Sequence, residues 1–559
     1  MSQLELPRAQ SPVVELDHAA RPARRWERME RWLAAASERL NPILVKEARQ
    51  ALKSRQFALT FALVLVCAWI WSIFGVAIIG PSIYYSEHGR DLFAGYFLIL
   101  LFPLLVIVPY GAFRSLAAER EDRTYELLCI TSLKPRQIVT GKLASAVVQM
   151  LVYFSAVAPC LAFTYMLRGI DVLTILFLIV YVFLASLAFS LAALLLATLT
   201  TERHWQVVMS VVLVAALGGG FWLACIISFM LLSSSNFGFQ DRSFWIGHAA
   251  GLTAYVSYFL LVLQAAASRL TFESDNRSTA LRWIAFIQQV LLVGWMAGLW
   301  FEFESGDIWV FAPFFTVSLA HWYVMGAFMT GESADLSPRV RRRLPQTLLG
   351  RVFLTWFNPG PGTGYMFALA NLGGVAVLVA LTIAMAEVVF PQVTSKWKPI
   401  EVLQILTFMS LGVAYLAIYL GIGKLIVALL RRFDSPAARA SALVHVLLLL
   451  AGVGVPWTIQ LMSPTLRTSG YSLLHISNPL WTLAEVTGSS QPVEVPLLLL
   501  LLPAMAVVVL VLNARSIFAE VSLVRVAPPS RVAEDDALRA PAPAPASPTS
   551  PWDDRRPGG

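Results

Sequence analysis

The run Glu119-Arg120-Glu121-Asp122-Arg123-Thr124-Tyr125-Glu126-Leu127-Leu128 lies between two long apolar stretches. From Arg114 to Glu126, seven of thirteen residues are charged: Arg114, Glu119, Arg120, Glu121, Asp122, Arg123 and Glu126. Charge at this density between apolar runs reads as a loop outside the bilayer that presents itself to a partner. A merely solvated loop is the simpler alternative, and the surrounding sequence bears on the choice.

Hydrophobic residues make up 57% of the 559-residue chain and charged residues 14%, against about 25% charged in soluble domains. A bilayer-spanning helix takes about 20 apolar residues. Twelve runs qualify: 57–80, 92–113, 143–167, 172–198, 207–233, 244–267, 281–300, 308–330, 365–390, 400–423, 440–462 and 493–513. With the N-terminus placed in the cytoplasm, 36 of the 42 Lys and Arg residues fall on the cytoplasmic side and 6 on the other. Basic loops resist translocation, so this asymmetry supports the span count. The expected fold is an all-α polytopic membrane protein of about twelve transmembrane helices, with N- and C-termini cytoplasmic. The net charge of +8 reads as topology and contact with anionic lipid, not as nucleic-acid binding.

The first apolar run begins only at Phe57 and is too long for a cleavable signal core. Cys67, Cys160 and Cys225 fall in predicted spans, Cys129 falls in the charged loop, and no CxxC pair exists. Neither disulfides nor a metal site are expected. The organisation reads as a basic flexible segment over 1–40, an interfacial helix over 41–56 and a six-helix unit over 57–270 with its cytoplasmic loop at 114–142. Two further spans cover 271–330, a basic linker 331–364 and four more spans 365–515. The 516–559 tail, rich in Pro and Ala, is expected to be disordered.

Asn41-Pro42 puts a good N-cap before a proline at the first helical position. Ile43, Leu44, Ala48, Ala51 and Leu52 then recur at helical spacing, with Lys46, Arg49, Gln50 and Lys53 on the other side. Such a helix lies in the interface with its apolar side toward lipid and its cations reaching phosphates. In the 114–142 loop, Glu and Leu favour a helix running out of the second span. Pro135 opens another helix that leads into the third span.

The run quoted at the outset, followed by Ser132-Leu133-Lys134-Pro135-Arg136-Gln137-Ile138-Val139-Thr140-Gly141-Lys142, resembles the pattern E-R-E-x-G-T-x-E-x-L-L … P-L-x-x-x-x-I-x-x-G-K. That pattern is typical of ATP-binding-cassette (ABC) permeases of the type-2 exporter class. Asn41-Pro42-Ile43-Leu44-Val45-Lys46-Glu47-Ala48-Arg49-Gln50 is similar to the family's surface connecting helix, two spans upstream as in the family. The resemblance covers roughly residues 35–270. The family's usual glycine is Arg123 here, and Ser132 stands where proline is common.

The resemblance implies a non-catalytic permease subunit in the inner or plasma membrane, paired with a second permease or a copy of itself. The 114–142 loop would couple it to a separate ATPase subunit. The residues carried over are Glu119, Arg120, Glu121, Thr124, Glu126, Pro135, Gly141 and Lys142 in the loop, and Asn41, Pro42, Lys46, Glu47 and Arg49 in the interfacial helix. No cofactor is expected on this chain; ATP would be used by the partner. The sequence has no GxxxxGK[ST] phosphate loop, and Gly421-Ile422-Gly423-Lys424 lacks its length and hydroxyl. A twelve-span transporter driven by an ion gradient and a non-transporting scaffold stay open. The former commonly keeps Asp, Glu or His relays near the midplane, and here only His321 and His445 stand deep in predicted spans. Both read as packed, hydrogen-bonded histidines, and Gln288-Gln289 as interhelical hydrogen-bonding glue.

Overall fold

The computed structural model describes residues 41–122, 133–199, 203–233, 238–272, 275–302, 307–333, 347–389, 391–394, 397–433, 437–464, 467, 470–488, 494–525 and 530–539. Among the described residues there is no strand, and twelve helices are long and apolar enough to cross a membrane. Each of the twelve apolar runs corresponds to one of them. The chain is a multi-pass α-helical membrane protein. It divides into two compact units, Met1–Phe239 and Gln240–Gly559.

In the first unit, α1 (Pro42–Leu52) precedes the spans α2 (Arg55–Ile79), α3 (Gly89–Phe102) continued by α4 (Val108–Glu121), α5 (Pro135–Met166), α6 (Val172–Thr198) and α7 (Arg203–Ser233). Their starts follow local chemistry. The Asn41 side chain accepts from the Ile43 amide at 3.1 Å, Ser54 from Phe57 at 3.1 Å, and Asp171 from Thr174 at 3.0 Å. Each satisfies an amide that the first helical turn leaves without an intrahelical partner. The α3–α4 helix is the most buried span of this unit, with Phe93, Phe97, Leu101, Leu104 and Val108 packed against Tyr153 and Val157 of α5.

A π turn, Pro103–Ile107, joins α3 to α4. In it the Val108 amide reaches back five residues to the Pro103 carbonyl. The next bond in that register would run from residue 109 to Leu104, but Pro109 has no N–H. The Ser186 hydroxyl of α6 donates to the Leu104 carbonyl instead. A backbone acceptor released inside an apolar bundle thus finds its partner on a neighbouring helix.

The second unit contains α8 (Arg242–Leu270), α9 (Thr279–Glu302), α10 (Phe311–Met329), the short α11 (Leu348–Leu354), α12 (Pro361–Val389), α13 (Pro399–Leu430), α14 (Ala437–Met462), the short α15 (Pro479–Thr487), α16 (Val495–Arg525) and α17 (Ser530–Arg539). Its core runs along α13, where Ile405, Met409, Leu416 and Leu420 are buried. Gly421 and Gly423 serve this packing. A Cβ on Gly421 would sit 2.3 Å from Val509, and one on Gly423 would sit 2.4 Å from the His445 ring. Their spacing therefore has a helix-packing cause, and Lys424 bonds to Asn513 and Ser516 of α16.

Three features differ from the sequence reading. The division falls at Phe239, so the last span of the expected 57–270 unit, α8, packs with α9 in the second unit. The tail expected to be disordered from 516 is helical to Arg525 and again over Ser530–Arg539. Ala, Glu, Leu and Arg, all good helix formers, supply half of the residues in 516–525 and 530–539, and the alternating Pro-Ala run begins only at 540. Finally, α1 does not turn its whole apolar side to lipid: Ile43 and Glu47 are its buried residues, against α5.

Candidate functional site at the ends of α1, α4 and α5

Glu47, Ser115, Glu119 and Lys142 come from three helices and meet in one buried cluster. Ser115 and Glu119 stand four residues apart and so share a face of α4. Lys142 is 3% exposed and Glu47 7%, so this charge would be costly without partners. The Lys142 ammonium has three N–H groups and three close oxygen neighbours, two of them hydrogen-bonded and the Glu119 one an ion-pair contact. These are Glu47 Oε1 at 3.0 Å, Glu119 Oε2 at 3.0 Å and Ser115 Oγ at 2.7 Å. Ser115 passes its own proton on to Glu47 Oε2 at 2.8 Å. Lys46, at the exposed edge, donates to Glu119 Oε1 at 3.1 Å. Among the described residues, two cations and two carboxylates meet in the cluster.

Backbone approach completes the joint. A Cβ on Gly141 would lie 2.8 Å from the Cβ of Ile43 and 2.9 Å from the Asn41 amide nitrogen, so α1 crosses α5 where α5 has no side chain. Asn41 caps α1 with its oxygen and donates its Nδ2 to the Gln137 carbonyl at 2.5 Å. Pro135 occupies the first turn of α5 as the sequence predicts. The Gln137 side chain accepts from the Lys134 amide at 2.8 Å, closing that helix start.

Of the residues singled out from the sequence, Asn41, Glu47, Glu119, Gly141, Lys142 and Lys46 are therefore brought together. Pro42 and Arg49 are exposed on α1. Arg120 donates to the Thr198 carbonyl at the end of α6 at 2.8 Å. This satisfies a terminal carbonyl and complements the negative end of that helix. Glu121 is exposed at the last residue of α4. Thr124 and Glu126 lie outside the described residues. Glu119 and Arg120, expected to face a partner, are engaged inside the unit. Ser115 escaped the sequence reading, because a lone serine in an apolar run carries no signal of its own.

The second unit has a buried cluster of its own that sequence reasoning passed over. Arg282 of α9 is 0% exposed, and its five N–H groups all have acceptors. Nε donates to Ser278 Oγ at 3.0 Å. Nη1 donates to the Trp356 carbonyl at 2.6 Å and to Thr363 Oγ1 at 3.1 Å. Nη2 donates to Glu332 Oε2 at 2.6 Å and to the Gly360 carbonyl at 3.1 Å. Glu520 of α16 accepts from the Gly362 and Thr363 amides at the start of α12. These residues staple helix ends together.

No protein-family model matches the chain, and neither a curated protein nor a solved structure matches it. What defines the chain is its own architecture, a multi-pass helical membrane protein with an ion-paired joint between α1, α4 and α5.

Proposed function

We propose that this chain is the permease subunit of an ATP-driven ABC exporter in the cell membrane. It pairs with a copy of itself or a second permease and carries two separate ATPase subunits on its cytoplasmic side. The observation that carries this reading is the convergence of Asn41, Glu47, Glu119, Gly141 and Lys142. These residues stand in two separate stretches that resemble type-2 exporter permeases, and they form one joint. The joint fastens α1 to both helices that flank the 122–134 connection. A force applied to that connection reaches α1, α4 and α5 together.

In this mechanism the ATPase grips the 122–134 connection, and ATP binding and hydrolysis in the partner bias the membrane helices between two arrangements. Glu121 and Glu126 meet basic residues of the ATPase, and such charge matching selects the right partner. Glu119 is excluded from that contact by its bonds to Lys46 and Lys142. The direction of transport follows the resemblance.

The test is affinity purification from the native host in mild detergent, wild type beside Glu121→Arg/Glu126→Arg, with co-purifying proteins identified by mass spectrometry. An ABC ATPase is expected with wild type and is expected to be lost with the variant. Its absence from a folded, monodisperse wild-type preparation would remove the energy source from this reading.

A further inference from the structure

The two adjacent glutamines of α9 have different fates. Gln289 is bonded at both ends: its Nε2 donates to Ser318 Oγ at 3.1 Å, and its Oε1 accepts from the Trp322 indole at 2.7 Å. It is interhelical glue, as the sequence suggests. Gln288 is 7% exposed, yet among the described residues its Nε2 has one hydrogen-bond contact, a long one of 3.4 Å to Ser257 Oγ of α8. Its Oε1 is buried with no hydrogen-bond partner among the described residues. The next residue of α8, Tyr258, bonds through its hydroxyl to His321 Nδ1 of α10 at 3.2 Å. The other ring nitrogen, His321 Nε2, is also buried with no hydrogen-bond partner among the described residues.

The side chains that carry these two open atoms are bonded to adjacent residues of α8, Ser257 and Tyr258. Their depth matters. Gln288 stands nine residues into α9, about 14 Å along it, and His321 stands eight residues before the end of α10, about 12 Å. Ser278, just before α9, bonds to Glu332, just after α10, so the two distances start from the same end of the unit. Both atoms lie near the middle of a hydrocarbon layer about 30 Å thick, where no bulk water completes their bonding.

The chemistry of the two atoms is complementary. The Ser257 proton is committed to the Ala254 carbonyl at 2.8 Å. With the Tyr258 hydroxyl donating to Nδ1, the second ring nitrogen of His321 carries the hydrogen. The open pair is then one donor, His321 Nε2–H, and one acceptor, Gln288 Oε1. A hydroxyl is the smallest group that answers both, because it donates once and accepts as well. Beside these atoms Tyr258, Ile287, Val290 and Val324 are exposed on the surface that faces hydrocarbon.

We propose that Gln288, His321 and the Ser257–Tyr258 turn form an intramembrane site for a membrane-dissolved alcohol, a single hydroxyl on a hydrocarbon body entering from the lipid. The hydroxyl donates to Gln288 Oε1 and accepts from His321 Nε2, while the hydrocarbon body lies along α9 and α10. The site is independent of any ATPase partner.

The test uses full-length protein in phospholipid nanodiscs and a diazirine-bearing hexadecanol as photoaffinity probe. Labelled peptides are mapped by mass spectrometry, with unlabelled hexadecanol and hexadecyl methyl ether as competitors. Labelling is expected on the peptides around 257, 288 and 321. The alcohol is expected to compete about tenfold better than the ether, the scale of the one hydrogen bond that an ether cannot donate to Gln288. Gln288→Leu and Tyr258→Phe should each reduce labelling several-fold. Equal competition by alcohol and ether would overturn the proposal and assign the open atoms to water or simple packing. So would undiminished labelling in a folded Gln288→Leu protein. If Gln288→Leu fails to fold, the wild-type comparison of alcohol and ether decides alone.

Discussion

Lys142 and Glu47 are 95 residues apart in sequence and meet at 3.0 Å, both almost wholly buried. Their contact turns α1 from a helix floating at the membrane surface into a bolted part of the first unit. Removing one partner from a buried ion pair leaves an uncompensated charge, at about 3–5 kcal/mol. Lys142→Met is therefore expected to destabilise the first unit by that order, while Lys142→Met with Glu47→Met and Glu119→Leu regains most of the loss. Thermal unfolding of the purified protein in detergent, run as a mutant cycle, checks this. An unchanged midpoint for Lys142→Met would deny the cluster any weight.

The absence of a side chain at Gly141 allows α1 to lie where it does. Gly141→Val is expected to push Ile43 away, because even a Cβ would come within 2.8 Å. A cysteine placed at position 43 should become markedly more reactive toward a soluble maleimide in that background. Equal reactivity with glycine and valine at 141 would mean that α1 is not seated on α5.

Arg282 should resist even conservative exchange. Lysine offers three donors on a flexible stem, whereas Arg282 spreads five over Ser278, Trp356, Gly360, Thr363 and Glu332. Arg282→Lys is expected to raise hydrogen exchange at the start of α12 and the end of α10. Arg282→Leu, which leaves Glu332 with its bonds from Ser278 and the Gly360 amide but without its cation, should cost up to about 3–5 kcal/mol. Exchange rates unaltered by either change would count against a stapling role.

His475 gives the second unit a pH dependence outside the membrane spans. It sits in the 3-10 turn Leu473–Ser477, bonded to Gln460 at 2.8 Å and 4.1 Å from the Trp481 ring centre. Burial pushes its imidazole below the usual value. The folded segment therefore holds the neutral ring, while the unfolded segment takes up a proton below about pH 6.5. Packing of residues 473–487 should be unaffected above that pH and weaken as pH falls through it. Hydrogen exchange of this segment, corrected for intrinsic rates, should show the loss in wild type and not in His475→Gln. A flat profile in wild type would refute it.

The spans and the helix starts were readable because each follows from local chemistry. Apolar length marks a membrane helix, and Asn41-Pro42 and Pro135 mark helix starts. The buried clusters were not readable, for one physical reason. A cation near the end of an apolar run looks the same whether it reaches lipid phosphates or is folded inward onto a carboxylate. Arg282, at the start of the 281–300 run, carries no sign of the acceptors around it, and Glu47 reads as part of a surface helix. Gly141 stood out as a motif member, but its cause, the approach of Ile43, is visible only in three dimensions. Gln288 and Gln289 are indistinguishable as sequence and differ entirely in what they touch.

If the connection after α4 grips an ATPase, as proposed, position 126 lies against that partner. A photoreactive amino acid at position 126, irradiated in the native host with a lipid-facing control at Leu59, tests it most directly. A crosslink from position 126 to an ABC ATPase, and none from position 59, is expected. A folded, membrane-inserted protein that crosslinks from position 126 only to lipid or to itself would contradict it.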